Sequence, residues 1–260
     1  MAINILVTHS GGFHADELLS SVVLTRLFPE ASLMRSRDEL CITPATDKII
    51  YDVGGNYDIE AQIFDHHQSP GPLRDNGQPF SSFGLIWKHY GCAYLESLKV
   101  PSQNIDPIHA QLDDDFVLPI DLVDNGVIEP SVSGPMSHLT LPVPLNSLRP
   151  VFDADSTNAD DEAFFATLPI AGRFLEAVIC QLVPEARARH IVLQAIEKAG
   201  ESFVLELPIG MPFRSALENN KADHILFAIY PRGDEGAFYG IKLPNDTFEQ
   251  RADLPISWAG

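Results

Sequence analysis

Histidine and aspartate residues cluster near the N-terminus in the segment THSGGFHADE. His9, His14 and Asp16 lie in a glycine-containing loop between an apolar run and a helical pattern, and glycines let such a loop turn tightly. Imidazole and carboxylate groups suit divalent metals, with Mn²⁺ as the first choice and Mg²⁺, Co²⁺ or Zn²⁺ as alternatives. The segment therefore predicts a metal site.

Two further segments place the same side-chain types directly after apolar runs. Asp52 follows KIIY, and Asp65, His66 and His67 follow IF. One such residue alone is more often a turn aspartate or a core histidine. Three loops that each deliver metal-type ligands instead indicate a functional site.

A further carboxylate is needed to complete two metal sites. Asp121 and Asp124 in DLVDNG are the candidates, and their i, i+3 spacing puts both on one face of a helix. The spacing leaves the choice between them open. The run Asp113–Asp115 is interpreted instead as a solvated face.

The elements that position these residues alternate between strands and helices. Apolar patterns predict strands over Asn4–Thr8, Ser32–Arg37, Lys48–Val53 and Ile63–His66, helices over Asp16–Phe28 and Ser81–Leu98, and a helix in parts of Ile108–Val127 that is interrupted near Pro119. Such alternation predicts an α/β fold with a mostly parallel sheet flanked by helices. Ligands of such sheets lie beyond the carboxyl ends of the strands, where the residues above fall.

The second half has a different pattern. Residues 130–155 are predicted to be an irregular connection, and Phe164–Ala199 to form one or two helices. Short strands follow from Glu201, with a hairpin turn at Gly233–Gly236. We therefore predict a metal-binding catalytic domain with linker helices over residues 1–198 and a smaller α+β domain on the substrate side over residues 199–260.

The composition indicates the cellular compartment of the protein and the kind of substrate it binds. The three cysteines among 260 residues are far apart, which argues against a disulfide framework and favours a reducing compartment. No signal-peptide pattern and no apolar run of about 20 residues is visible, so we expect a cytoplasmic protein without a membrane partner. The net charge of −19 favours a small phosphate substrate over a long nucleic acid, which would need a basic track.

Four segments together resemble the MYG family (melanocyte proliferating gene family): THSGGFHADE, DVGGNYDIEAQIFDHHQ, SSFGLIWKHYG and DLVDNG. The resemblance covers at least residues 5–130 and continues weakly near Pro212–Arg214 and Leu254–Gly260. The family looks like a branch of the DHH phosphoesterase superfamily, which includes RecJ-type exonucleases, nano-RNA phosphatases and family II inorganic pyrophosphatases. The resemblance implies a DHH-like fold with two divalent metal ions.

The resemblance also implies a role for each metal ligand. By similarity, His9 and His14 would bind the first metal, and Asp16 and His66 the second. Asp52 would bridge both metals, and its replacement by alanine is expected to abolish the reaction. Many members of the superfamily carry aspartate where His14 stands, and this departure lowers the local negative charge.

Three further roles follow from the same likeness. Asp121 or Asp124 would complete the second metal site. Asp65 would orient the His66 ring through a hydrogen bond, and His67 would face the substrate phosphate as a donor or general acid.

Substrate contacts are expected from basic and hydroxyl side chains. Arg37 lies on a strand, Arg214 lies where the family tends to carry a basic residue, and His89 belongs to the matching segment WKHYG. Ser81 and Ser82 at a helix start could offer hydroxyl and N–H groups to an anion, with simple N-capping as the alternative.

The expected function is a metal-dependent phosphoesterase, in the form of a 3′–5′ exonuclease on RNA or short oligonucleotides. A small-molecule phosphatase suits the acidic charge better. The alternatives are a metal-dependent peptide or amide hydrolase, although no HExxH motif is present, and a non-catalytic metal-binding module. Related proteins continue with a glycine and histidine segment that grips substrate, so we expect a short or truncated form here. A homo-oligomer is compatible with the sequence.

Overall fold

The computed structural model describes residues 2–129, 139–154, 156–232, 235–241 and 250–253. The chain divides into two compact units, Met1–Ile179 and Cys180–Gly260, and the division falls inside one long helix. The predicted boundary between residues 198 and 199 stays a prediction. The start of the predicted turn Gly233–Gly236 and the segment Leu254–Gly260 lie outside the described residues, as do residues 130–138 and 155 of the predicted irregular connection.

The first unit is built on a five-stranded sheet. Its strands are β1 (Ile5–Thr8), β2 (Ser32–Arg35), β3 (Lys48–Tyr51), β4 (Tyr57–Asp58) and β5 (Ile63–Phe64), in the order β2-β1-β3-β5-β4. All neighbours pair in parallel except β4, which runs antiparallel to β5. The predicted α/β class is confirmed, with a mixed sheet. The edge strand β4 was not predicted, because two residues are too few to show a period.

Two helices cover this sheet and supply much of its core. They are α1 (Ala15–Leu27) and α2 (Ser82–Ser97), which pack against each other. The strand β3 is buried along its whole length, as a parallel strand between two covered faces should be. α1 is buried along almost its whole first half, so its polar residues there lie inside the protein.

A longer helical stretch follows and carries the DLVDNG segment. It consists of α3 (Ser102–Leu112), a π-helical segment (Asp113–Val117) and α4 (Leu118–Asp124). The predicted interruption near Pro119 corresponds to a wider π turn, Asp113–Val117, which ends two residues before this proline. Pro119 itself lies in the first turn of α4.

The next described helices are the short α5 (Pro142–Asn146) and the 41-residue α6 (Ala159–Ala199), which is a single helix. Among the described residues, α6 alone is long and apolar enough to cross a membrane by length and composition, with a mean hydropathy of 1.6 over its most apolar window. Core helices of soluble proteins pass the same test of length and composition. The absence of a membrane partner stays a prediction.

The second unit contains a three-stranded sheet, β6 (Val204–Glu206), β7 (Phe227–Arg232) and β8 (Glu235–Gly240), and a short helix, α7 (Arg214–Asn219). β6 and β7 are parallel, and β7 and β8 antiparallel. Its core includes Leu205, Leu217, Ile225 and Ala228. The predicted change to short strands after Glu201 matches this sheet.

Candidate metal centre

The carboxyl ends of three parallel strands lie side by side at one edge of the first unit's sheet. β1 ends directly before His9, β3 before Asp52 and β5 before Asp65. A cavity of about 530 Å³ lies at this edge. Its lining includes His9, His14, Asp16, Arg37, Asp52, His66, His67 and Asp124. The structure therefore brings together most of the residues that the sequence indicated.

Asp52 lies at the centre of this arrangement. Its backbone has φ 56°, a left-handed conformation that is uncommon outside glycine and that is often found at functional sites. One carboxylate oxygen lies 3.1 Å from His9 Nε2, and the other lies 3.3 Å from His66 Nε2. Burial would raise the pKa of Asp52, but hydrogen bonds with His66 and His9 lower this pKa to about 2. Asp52 is thus an anion between two imidazoles.

His9 presents one ring nitrogen to a pair of carboxylates. Its Nδ1 lies 3.1 Å from the Ser10 carbonyl, while its Nε2 lies 3.1 Å from both Glu17 Oε1 and Asp52 Oδ2. Burial would lower the pKa of His9, but hydrogen bonds with Asp52 and Glu17 raise it to about 10. Nε2 therefore holds a proton between the two carboxylates unless another cation takes its place.

The His66 ring is oriented by a hydrogen bond between its Nδ1 and the side chain of Asn125. The Asn125 side-chain N–H₂ donates to the carbonyls of Phe80 (3.1 Å) and Asp121 (2.9 Å). The amide oxygen is therefore left to accept from His66 Nδ1 at 3.3 Å. This contact leaves Nε2 facing the cavity, 3.3 Å from Asp52 and 3.2 Å from Asp124, and in the neutral ring this nitrogen would offer its lone pair to a metal ion.

His14, Asp16 and Asp124 form a second group, whose potential ligand atoms all lie within 4.8 Å of one another. Asp16 is 1% exposed, and no hydrogen-bond donor reaches either of its oxygens. Burial raises the pKa of Asp16 well above its usual value, and the neighbouring charges of Asp52, Asp124 and Glu17 raise it further. A buried carboxylate without a donor has the surroundings of a metal ligand.

The donor set fits divalent metal ions. Among the described residues, four overlapping groups of histidine and acidic side chains have ligand atoms within 4.8 Å of one another, and Asp52 belongs to two of these groups. Imidazole and carboxylate are ligands of Mn²⁺, Mg²⁺, Co²⁺ and Zn²⁺. These groups could therefore bind metal ions, as the sequence predicted.

The structure corrects the predicted role of Asp65. Its oxygen Oδ1 lies 2.7 Å from His67 Nδ1 and accepts from the backbone N–H of His66 (2.8 Å), and Oδ2 accepts from Gly55 N–H (2.6 Å). Asp65 therefore orients the His67 ring, and the His66 ring is oriented by Asn125 instead. The hydrogen bond with Asp65 raises the pKa of His67, whose side chain is 62% exposed at the cavity.

Asp121 and Asp124 have separate surroundings. Asp121 is fully buried and accepts from Arg74 Nη1 (2.6 Å), Ser81 Oγ (2.6 Å) and Gly84 N–H (3.0 Å). A side chain at Gly84 would collide with this carboxylate. The sequence left the choice of ligand between the two aspartates open, and in the structure Arg74 binds the carboxylate of Asp121. Asp124 is the one that lines the cavity.

The predicted substrate contacts also differ in whether they line the cavity. Arg37 lines the cavity, where its Nε donates to the Ser10 carbonyl at 3.3 Å. Ser81 caps α2 and donates to Asp121, and Ser82 is fully buried, so the capping interpretation of this helix start is correct. His89 lies 2.6 Å from the Tyr57 hydroxyl, outside the cavity lining.

Arg214 belongs to the second unit. It lines a cavity of about 560 Å³ together with Met211, Phe213, Glu218 and Tyr230, all from the same unit. Its role in substrate binding stays a prediction.

Three arginines hold the loop between His9 and α1 through its backbone carbonyls. Arg37 donates to Ser10, Arg35 to Gly11, and Arg149 to Phe13. The guanidinium of Arg35 is also paired with Asp161 at 2.6 Å. Positive charge therefore surrounds the loop that carries two of the histidines, in a chain that is otherwise strongly acidic.

Two residues of the centre were missed by the sequence interpretation, Glu17 and Asn125. Glu17 stands inside the quoted segment THSGGFHADE, three residues after His14, which is a capping-box spacing. Asn125 follows Asp124 directly and carried no signal of its own, because its contact with His66 joins residues 59 apart in sequence.

The fold and these clusters define an α/β protein with side chains that could bind metal ions. A family model, MYG1_exonuc, described as "Uncharacterised protein family (UPF0160)", matches residues 5–260. The chain belongs to this family, and the resemblance inferred from its motifs is confirmed.

Curated relatives support the same family along nearly the whole chain. A MYG1 protein of Schizosaccharomyces pombe is 30% identical over 98% of this chain and 84% of its own length. Proteins named MYG1 exonuclease from Homo sapiens and Mus musculus are 30% and 29% identical, each over 97% of this chain and 74% and 73% of their own lengths. No solved structure matches the chain.

Proposed function

We propose that this chain is a metal-dependent phosphoesterase that acts as a 3′–5′ exonuclease on RNA or short oligonucleotides, on a DHH-like fold. The observation that carries the proposal is the position of Asp52 between His9 and His66 at the carboxyl edge of the sheet. The names of the human and mouse relatives support the nuclease activity.

Each of two ions would have its own ligands and share Asp52. His9 and His14 would hold the first ion, and Asp16, His66 and Asp124 the second, with Asp52 between them. Two divalent ions, with Mn²⁺ the preferred candidate, would supply Lewis acidity at the phosphoryl oxygens and a nucleophilic water at neutral pH.

The remaining side chains would bind substrate and move its proton. The Nδ1–H of His67 donates a hydrogen bond to Asp65, which favours the imidazolium form, and the Nε2–H of that form would protonate a leaving oxygen. Arg37, exposed at the cavity, would contact a phosphate. These two groups and the bound ions would attract an anion to an acidic chain.

The test combines metal analysis with hydrolysis. Purified protein is analysed for metal content and incubated with Mn²⁺ and either bis-p-nitrophenyl phosphate or a 5′-labelled short RNA. We expect two ions per chain and stepwise shortening of the RNA, both lost in Asp52→Ala and retained in Asp106→Ala, a matched substitution at an exposed aspartate.

Other results would point to other functions. Phosphate release from mononucleotides without shortening of RNA would indicate a phosphatase, and metal binding without any hydrolysis would indicate a binding module. Cleavage of peptides instead of phosphate esters, or no metal after loading with Mn²⁺, would contradict the proposal.

A further inference from the structure

Glu17 is a buried carboxylate in the first turn of α1. It is 0% exposed, and its oxygen Oε1 accepts from the backbone N–H of His14 at 2.7 Å. The same oxygen lies 3.1 Å from His9 Nε2. No hydrogen-bond donor reaches the second oxygen, Oε2, which is also buried.

Helix capping explains only part of this arrangement. In a capping box the acidic or amide residue at the third helical position accepts from the backbone at the helix start, as Glu17 does from His14. That contact needs one neutral oxygen and no charge, so glutamine would serve equally. It leaves the second carboxylate oxygen, Oε2, buried without a donor beside Asp16 and Asp52, with ligand atoms of all three residues within 4.8 Å of one another. Such a group is costly to bury without a cation.

The start of α1 directs its two acidic residues to different partners. Adjacent residues on a helix point about 100° apart. Both residues group with His14 and with Asp52, but Asp124 groups only with Asp16 and His9 only with Glu17.

We propose that Glu17 is a ligand of the first metal ion, in addition to its capping role. This inference rests on the proposed two-metal function. With Glu17, the proposed metal ligands include four carboxylates (Asp16, Glu17, Asp52 and Asp124), whose combined charge equals that of two divalent ions. Little positive charge would then be left for the substrate, so Arg37 and His67 would supply the attraction for its phosphate.

The substitution Glu17→Gln separates the two roles, because the amide oxygen can still cap α1 while the charge is lost. We expect the metal-free variant to unfold at the wild-type temperature or above it. Titration with Mn²⁺, followed by electron paramagnetic resonance of the free ion, should show one of the two sites weakened by about tenfold or more. Glu30→Gln, at an exposed position, is the matched control and should bind as wild type.

Wild-type affinity at both sites in Glu17→Gln would overturn the inference and leave Glu17 as a cap alone. If wild type itself bound no Mn²⁺, the proposed function would fail first, so the two failures are distinguishable. Should Glu17→Gln not fold, Glu17→Asp keeps the charge with a shorter reach. A ligand role then predicts weakened Mn²⁺ binding, whereas a capping role predicts reduced stability with both sites intact.

Discussion

Asp121 and Asp124 lie three residues apart on α4, but their carboxylates have different partners. Asp121 receives an arginine, a hydroxyl and a backbone N–H, all from the protein itself. Asp124 faces a cavity together with His66 and other acids, and no arginine or lysine pairs with it among the described ion pairs. The first carboxylate is neutralised by folding, whereas the second is left for a cation from outside.

The pKa values reflect this difference. Burial raises the pKa of Asp121 to about 6 although Arg74 and Ser81 both lower it, so these partners only partly offset desolvation. Burial raises the pKa of Asp124 too, and the negative charge of Asp52 adds to the effect while His66 opposes it. Repulsion among these carboxylates lowers the stability of the protein. A functional role explains why the cluster is retained in spite of this cost.

Alanine substitutions at these two positions should have opposite consequences. Asp124→Ala should abolish Mn²⁺-dependent hydrolysis and leave the free energy of unfolding of the metal-free protein unchanged or slightly increased. Asp121→Ala should lower that free energy by about 3 kcal/mol, because it leaves Arg74 buried with only Asp113 as an acidic partner. Urea unfolding in EDTA and hydrolysis with Mn²⁺ measure the two effects. An inactive but stable Asp121→Ala would contradict the assignment.

The exposed histidine of the centre should affect turnover without affecting metal binding. His67→Gln removes the proposed proton donor, so we expect kcat to fall by about 10²–10⁴-fold with unchanged Mn²⁺ affinity. His89→Gln is the matched control, since His89 is also exposed but contacts Tyr57 outside the cavity. Equal activity of the two variants would remove His67 from the mechanism.

Substitution of Asn125 tests whether the hydrogen bond that orients the His66 ring affects the affinity for metal. Asn125→Leu removes the acceptor that fixes the His66 tautomer, and we expect about 10–100-fold weaker Mn²⁺ binding. Asn125→Asp keeps an acceptor at the same place and should recover much of the affinity. If the leucine variant bound Mn²⁺ as tightly as wild type, the ring would need no such orientation.

The sequence alone predicted those residues of the centre whose position follows from a single rule, the alignment of the carboxyl ends of parallel strands. His9, Asp52 and His66 follow apolar runs, and parallel strands align their carboxyl ends, so chain order and side-chain type placed them together. The same rule could not choose between Asp121 and Asp124. That choice depends on which side of α4 meets Arg74, a contact across 47 residues.

Local turn geometry was a second limit. Whether Asp65 orients His66 or His67 depends on how the chain bends after β5, and adjacent histidines look alike in a sequence. The short strand β4 was missed, and the interruption at Asp113–Val117 was not recognised as a π segment, for a related reason, because each is shorter than the window in which a period can be recognised.

A further expected effect is a change of stability with pH that has opposite signs with and without metal. Hydrogen bonds with Asp52 raise the pKa of His66 to about 8, and those with Asp52 and Glu17 raise that of His9 to about 10, although burial opposes both. In the metal-free protein this stabilisation is complete below the ordinary histidine pKa of about 6.5. It is lost as pH rises through about 8 and then about 10.

Metal binding reverses the trend, since each imidazole must lose its proton to act as a ligand. Thermal unfolding between about pH 6 and pH 8.5 should show Tm in EDTA falling while the gain in Tm from Mn²⁺ grows. Isothermal titration of Mn²⁺ in buffers of different ionisation enthalpy should detect protons released at pH 7. A Tm in EDTA that is flat with pH, with no proton release, would mean that the two imidazoles do not carry the protons that metal ions replace. The pH dependence of stability would then give no support to the contrast between Asp121, which the protein itself neutralises, and the acids of the centre, which need a cation.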